Sequence, residues 1–363
     1  PQPLPGRDAA YAPAIVRLVL AEGWEDADFC RRFVGAARMA ALNAAVAPYQ
    51  AQQIEREAGL QSGDIRRAAE VFARDSRSGI ALTGTGPSMA PFSNAMQHMV
   101  DCLNVICGRF PRAGEKAVAV DVISPPTVLR EEVIPPPRSW NVFPPSRIRG
   151  VGMLFGERLT GTLADEILTP GEGQIKCLLV DGGNPAMVVP DQQKIVAALR
   201  SLELLVTIDP CMTATARLSH YILPPLLHYE RADLPISIFG LSLWPVSFSQ
   251  YAKPLIRPPA DSDLVEGWYV YWALAKRLGK TIVFDNIAPL DMEKRPREED
   301  LIALKASRAM VPLEEIKRYP SGHIFPHDYV VQPGRPEADA KFDVMPDDVA
   351  AELAAERLHS AQE

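Results

Sequence analysis

Residues 176–185 read Lys176-Cys177-Leu178-Leu179-Val180-Asp181-Gly182-Gly183-Asn184-Pro185. The apolar run at 175–180 is too short for a helix and is bounded by turn formers, so it predicts a strand. Asp191 supplies an N-cap for a helix through Ile195, Ala198 and Leu199. A second apolar run, 202–208, ends at Asp209-Pro210. A short helix around 213–218 then leads to Tyr221-Ile222-Leu223-Pro224. Strand, helix, strand, helix and short strand predict a parallel, doubly wound sheet. In such sheets ligands bind beyond the carboxyl ends of the strands. The turns Gly182-Gly183-Asn184-Pro185 and Asp209 to Thr213 and Thr215 are therefore the first places to look for chemistry.

On the N-terminal side the first 78 residues read as helices. Pro5-Gly6-Arg7-Asp8 is a turn and a cap, followed by helical spacing at Ile15, Leu18 and Val19 that stops at Gly23. Asp26 caps a second helix, 52–60 is another, and Ser62-Gly63-Asp64 opens an amphipathic one with Ile65, Ala68, Val71 and Phe72 on one face. Residues 79–83 repeat the strand pattern, with Gly84-Thr85-Gly86-Pro87-Ser88 as their turn and a helix over 93–107. A further strand is expected over 117–122. Residues 124–145 are rich in proline, which fixes φ and donates no hydrogen bond, so they predict an extended crossing. On the C-terminal side a strong helix is expected over 264–278, with Trp268, Tyr269, Tyr271 and Trp272 as a packed face. Short helices follow near 299–308 and 312–318, and 347–359 predicts a last helix with a free end. The expected class is α/β, with two doubly wound, Rossmann-like parallel-sheet domains and an irregular helical C-terminal extension. The expected boundaries are a helix-rich α/β domain at 1–123, the proline-rich crossing at 124–149, a second α/β domain at 150–285 and the loop-rich extension at 286–363.

Composition narrows the function classes. The chain has 363 residues, 47% hydrophobic and 23% charged, which excludes a wholly disordered protein. A net charge of −7 and a pI near 5.5 argue against a nucleic-acid partner. No apolar run reaches the ~18 residues of a membrane span. The cysteines at 30, 102, 107, 177 and 211 form no C-x-x-C, and the histidines form no H-x-x-x-H. That argues against a zinc ribbon, a local iron–sulfur loop, a disulfide framework or a metal site within this chain. There is no G-x-S-x-G and no P-loop. The first glycine loop is not G-x-G-x-x-G, because position 89 is Met, which disfavours a nicotinamide dehydrogenase. The chain begins Pro1-Gln2-Pro3, without Met or a signal-peptide pattern.

The three strand-end loops carry the candidate binding residues. Gly84, Gly86, Gly182 and Gly183 let a backbone approach a phosphate or a ring. Asn184, before Pro185, offers a donor and an acceptor. An Asp at a strand end, here Asp209, can accept from the N–H and NH2 edge of a guanine. The hydroxyls of Ser88, Thr213 and Thr215, with free backbone N–H groups at a helix start, suit a phosphate or ribose. Each has an ordinary alternative: a plain glycine turn, a tight Asn-Pro turn, or a helix cap by Asp209 and Thr213. Arg147 and Arg149, before Gly150, are either a solvated pair or a phosphate or pterin contact.

Taken together these motifs resemble the molybdopterin-dependent oxidoreductases of the dimethyl-sulfoxide-reductase and formate-dehydrogenase type. The resemblance is carried by 176–185, Pro190-Asp191, Leu204-Leu205-Val206-Thr207-Ile208-Asp209, Thr213-Ala214-Thr215-Ala216, His220-Tyr221-Ile222-Leu223-Pro224 and Glu230. Pro5-Gly6-Arg7-Asp8-Ala9-Ala10, the 103–114 segment and Arg147 to Gly152 extend it over most of 1–280. It implies a central portion of a molybdenum or tungsten bis(molybdopterin guanine dinucleotide) oxidoreductase, transferring an oxygen atom or a hydride equivalent. Gly182, Gly183, Asn184, Pro185, Asp209, Thr213 and Thr215 would contact one dinucleotide, with Asp209 as guanine partner. Arg149 and Gly150 would lie near a pterin or its phosphates, and Gly84, Gly86 and Ser88 would approach the other cofactor half.

The resemblance assigns no catalytic residue and no metal ligand to this chain. The metal ligand and the cysteine cluster of a [4Fe–4S] centre, which takes the electrons, are expected upstream of residue 1. Lys341-Phe342-Asp343-Val344 looks like the linker into a C-terminal barrel. The implied partners are the remainder of the same enzyme or a partner subunit and a small-molecule substrate, with no nucleic acid and no membrane span. The implied compartment is the cytoplasm, with the periplasm left open. The chain departs from the family pattern at Met89 for Gln, His220 for Ala or Ser, and Tyr221 for Asp. The alternatives are a non-catalytic scaffold of the same fold, as in respiratory complex I, and the central domain of a thiamine-diphosphate enzyme, whose Gly-Asp-Gly…Asn motif is absent.

Overall fold

The computed structural model describes residues 1–118, 122–136, 138–154, 156–234 and 246–360. The strand expected over 117–122 falls partly on 119–121, outside the described residues. Contacts divide the chain into two units. The first comprises Pro1–Ala117, Val128–Pro135 and the chain from Val330 on. The second comprises Val118–Thr127 and Pro136–Tyr329. The proline-rich segment thus passes through both units, with Arg130–Glu131 as its only strand and Ser139–Asn141 as its only helical turn among the described residues.

Alanine and aliphatic residues crowd the first helix, α1 (Asp8–Ala21), and Ala9, Ala12, Ala14, Val16 and Val19 are all buried in it. Around it lie α2 (Ala27–Phe33), α3 (Ala36–Val46), α4 (Ala51–Glu57), α5 (Asp64–Ala69) and α6 (Ser93–Ile106). The Asp26 carboxylate accepts from the Phe29 N–H at 2.9 Å, which is the expected cap of α2. The last helix, Asp347–Ser360, is not a free end. It buries Val349 and Leu353 in the same core. The buried Tyr49 hydroxyl donates to the Leu353 carbonyl at 2.9 Å, and Arg357 pairs with Glu57 at 3.0 Å.

The parallel sheet expected in this first unit is not formed by the described residues. Residues 79–83 make no strand, and Ile80 and Leu82 stand 62% and 76% exposed. Their backbone is satisfied another way: the buried Asn104 amide accepts from the Ala81 N–H and donates to the Ala81 carbonyl, both at 2.8 Å. The unit's parallel pairing is two residues long, Gln332–Pro333 against Arg130–Glu131.

The second unit carries the predicted sheet. Its strands are β1 (Cys177–Asp181), β2 (Leu204–Ile208) and β3 (Tyr221–Leu223), in the order β1-β2-β3 with both pairings parallel. The order advances in one direction, so these strands include no reversal of the winding. The helices α7 (Leu163–Leu168) and α8 (Gln192–Ser201) pack on one another. Ile167, Ile195, Ala198, Leu199 and Leu205 make the core. Asp191 caps α8 as expected, its carboxylate accepting from the Lys194 N–H at 3.1 Å. His220, a departure from the family pattern, has a local task. Its N–H donates to the Leu205 carbonyl at 2.8 Å and its Nδ1 accepts from the Leu205 N–H at 2.9 Å, which extends the β2–β3 ladder.

The helix expected over 264–278 is α9 (Gly267–Arg277). Val270, Trp272 and Ala273 are buried in it. Tyr271 is not part of a packed face: it is 43% exposed.

Candidate functional site

Both long strands end in a carboxylate. Asp181 closes β1 and Asp209 follows β2, and the register sets Asp181 opposite Ile208. Neighbouring strands lie about 4.8 Å apart, so the two carboxyl ends stand side by side, and the space beyond them is the crevice in which parallel sheets take ligands. Gly182 leaves the crevice floor at φ +62, a left-handed conformation that strains a side-chain-bearing residue. Its N–H donates to the Ile208 carbonyl at 2.9 Å. A Cβ on Gly182 would meet nothing within 4 Å. The Asp209 Oδ1 accepts from the Cys211 N–H at 2.7 Å, a turn in which the loop itself aims the carboxylate.

Beneath the surface the two loops are stitched together by small polar side chains. The Asn184 Oδ1 accepts from the Thr215 N–H at 3.1 Å and from the Thr215 hydroxyl at 2.9 Å. The Thr215 Oγ1, fully buried, also accepts from the Ala186 N–H at 3.1 Å. The Ser219 hydroxyl donates to the Thr215 carbonyl at 3.1 Å, so the Thr207 hydroxyl donates to Ser219 across the 2.6 Å contact between them. The Thr213 Oγ1 accepts from the Ala216 N–H at 3.1 Å, at the start of the helical turn Ala216–Leu218. Asn184 and Thr215 therefore tie the two loops together, Thr213 braces its own loop, and the buried Asp209 carboxylate lies beside them at the end of β2.

Arg149 and Gly150 belong to the same unit, in a turn closed by the Gly150 N–H donating to the Ser146 carbonyl at 2.8 Å. Gly150 has φ +63. The turn is anchored on α7. The Ser146 hydroxyl donates to the buried Glu166 carboxylate at 2.6 Å, Arg147 pairs with the same carboxylate at 3.0 Å, and Arg149 pairs with Asp165 at 3.0 Å. Lys194 of α8 joins Asp165 from the other side. Lys194 and, after it, Arg149 hold the Asp165 carboxyl below its usual range by donating to its ionised form.

The structure thus gathers Gly182, Gly183, Asn184, Pro185, Asp209, Thr213 and Thr215 at the ends of β1 and β2. Gly84, Gly86 and Ser88 lie in the other unit. There Gly84 precedes the one-turn helix Thr85–Ser88, and the Ser88 hydroxyl donates to the Gly84 carbonyl at 3.3 Å. All three are exposed.

One residue at the crevice escapes sequence reasoning. The Tyr271 hydroxyl donates to the Asp181 Oδ2 at 2.9 Å. Burial and the Asp181 charge push its pKa up to about 12. Nothing in the run 268–272 sets Tyr271 apart. What singles it out is a partner 90 residues earlier.

Among the described residues no group of three His, Cys, Asp or Glu is placed to hold a metal ion. None of their helices is long and apolar enough to cross a membrane.

A family model described as molybdopterin oxidoreductase matches residues 51–277. The chain belongs to the molybdopterin oxidoreductase family. That stretch contains β1, β2 and β3 and both crevice loops. The "Probable oxidoreductase YyaE" of Bacillus subtilis (strain 168) is 34% identical over 124 residues, 34% of this chain and 18% of that protein. The "Thiosulfate reductase molybdopterin-containing subunit PhsA" of Salmonella typhimurium (strain LT2) is 21% identical over 285 residues, 76% of this chain and 36% of that one. Among solved structures, "Acetylene Hydratase from Pelobacter acetylenicus" superposes with a TM-score of 0.65 at 20% identity, over 94% of this chain and 47% of that one. This last likeness shows the fold. The molybdopterin oxidoreductase chain described here spans less than half the length of each of these proteins.

Proposed function

We propose that this chain is the central cofactor-binding portion of a molybdenum or tungsten bis(molybdopterin guanine dinucleotide) oxidoreductase, and that residues 150–285 hold the guanine end of one dinucleotide. The supporting observation is the Asp209 carboxylate. It stands beyond the end of β2 with Oδ1 aimed by the Cys211 N–H, and among the described residues its Oδ2 accepts no hydrogen bond. A guanine edge presents adjacent N–H donors, and an ionised carboxylate is an acceptor-only group with two oxygens. The donor and acceptor chemistry of the crevice therefore fits the group the family implies.

Each residue has a part in this reading. Asp209 binds the base. Gly182 and Gly183 keep the first turn free of side chains, so that a nucleotide can reach the backbone. Asn184, Pro185, Thr213 and Thr215 hold the two loops at a constant separation. Arg149, with Gly150, offers a guanidinium to a phosphate or pterin. Gly84, Gly86 and Ser88 approach the second dinucleotide. The bound cofactor supplies the metal at which oxygen-atom or hydride-equivalent transfer takes place. Electrons leave to an iron–sulfur centre outside this chain, in the remainder of the enzyme or a partner subunit.

The test is extraction. The full protein should yield a fluorescent pterin, molybdenum or tungsten, and GMP on acid hydrolysis. Asp209→Ala should lower the GMP recovered by about tenfold or more, as expected for losing hydrogen bonds to a charged acceptor. A wild-type protein with neither pterin nor metal overturns the reading in favour of a non-catalytic scaffold of the same fold.

A further inference from the structure

The two carboxylates at the crevice are aimed by different means. Asp209 is held by its own loop, through the Cys211 N–H. Asp181 is held from another element, by the Tyr271 hydroxyl on α9 at 2.9 Å. Both Asp181 and Tyr271 are exposed, so the bond between them adds little to stability. Its consequence is direction. Among the described residues Asp181 pairs with no cation, and a carboxylate held by one neutral donor keeps lone pairs for a ligand. Two carboxylates on neighbouring strand ends repel a phosphate and favour neutral donors, which on a nucleotide are the base edge and the sugar hydroxyls.

We propose that Tyr271 is a positioning residue that turns the Asp181 carboxylate to accept from the ribose hydroxyls of the nucleotide whose base Asp209 holds. This rests on the reading of Asp209 as the guanine partner. Tyr271 stays protonated, and so remains a donor, across the working pH range, because its pKa is pushed up to about 12 by burial and by Asp181. The crevice then measures a guanosine at two points, base and sugar, and directs its phosphates away from the strand ends.

The experiment is calorimetric titration of the full chain, free of cofactor, with GDP and with 2′-deoxy-GDP. Wild type should prefer GDP by about tenfold, the effect of one hydrogen bond to a charged group. Tyr271→Phe should keep its affinity for 2′-deoxy-GDP and see the preference fall to about threefold or less. Asp181→Ala should abolish the preference. A wild type that binds both equally overturns the inference and leaves the guanine reading standing. So does a Tyr271→Phe or Asp181→Ala variant that weakens both nucleotides alike, with a melting temperature that reports whether the fold has moved. A wild type that binds neither nucleotide overturns the inference and the guanine reading together.

Discussion

Residues 79–86 and residues 178–184 read alike: a short apolar run that ends in glycines. In the second unit the run is a strand, because β2 lies beside it and pairs with it in a parallel register from Cys177↔Leu204 to Asp181↔Ile208. In the first unit no strand lies beside 79–83 among the described residues, and a single side chain, Asn104, takes the place of a partner at Ala81. The difference teaches that an apolar run becomes a strand only when a second run is there to pair with it. A buried amide can satisfy one residue's backbone groups, but it cannot continue along the chain. It also separates the two glycine turns. The turn at 182 lies at the end of a ladder, beside a second strand end. The turn at 84 lies at the end of a segment that pairs with no strand among the described residues.

The sharpest way to break this comparison is at its apolar residues. Leu205 of β2 is fully buried, so Leu205→Ala should cost about 2–5 kcal/mol. Leu82→Ala, at an exposed position in the matching run, should change stability by less than about 0.5 kcal/mol. Urea unfolding followed by tryptophan fluorescence measures both. Equal costs would mean that 79–83 packs as a strand after all.

A smaller effect is expected at the substitute partner. Asn104→Ala leaves the Ala81 N–H and carbonyl without their side-chain partner, at a cost of about 1–3 kcal/mol. Hydrogen exchange should locate the loss at Ala81 and its neighbours and leave β1 and β2 protected. Unchanged exchange at Ala81 would show that Asn104 is not what holds this segment.

The smallest effect concerns charge around the second unit's helices. Lys194 and Arg149 lower the folded pKa of Asp165. The stabilisation this brings is present above the unfolded carboxyl value, about 3.9, and is lost as pH falls through the lower folded value. Between about pH 4 and pH 2 the wild type should therefore lose more melting temperature than Asp165→Asn, with the two curves running parallel above pH 5. Parallel curves throughout would show that the pairing contributes nothing.

Much of the candidate site is readable along the chain because its signals are local. The Asp191 cap, the turn at Gly182, the strand runs and the carboxylate after β2 each depend on a few consecutive residues. The parts that escape reading depend on distant partners. Tyr271 looks like its buried neighbours until Asp181 is set beneath its hydroxyl. Asn184 and Thr215 read as ligand residues, and what the sequence does not show is that they also bond one another. Arg149 reads as one of a solvated pair or as a phosphate or pterin contact, and the sequence does not show the ion pair with Asp165 on α7 that orients it.

By itself, the sequence determined most helices of the first unit, though not Ala36–Val46, the three strands of the second and the family to which the chain belongs. Periodicity, caps and glycine turns act over a few residues and need no other part of the molecule. Only the tertiary structure decided which apolar run would become a strand, where the last helix would pack, and which element would hold the Asp181 carboxylate. The reason is physical: a backbone group or a carboxylate is satisfied by whatever donor or acceptor the fold brings to it, and here those partners lie tens to hundreds of residues away.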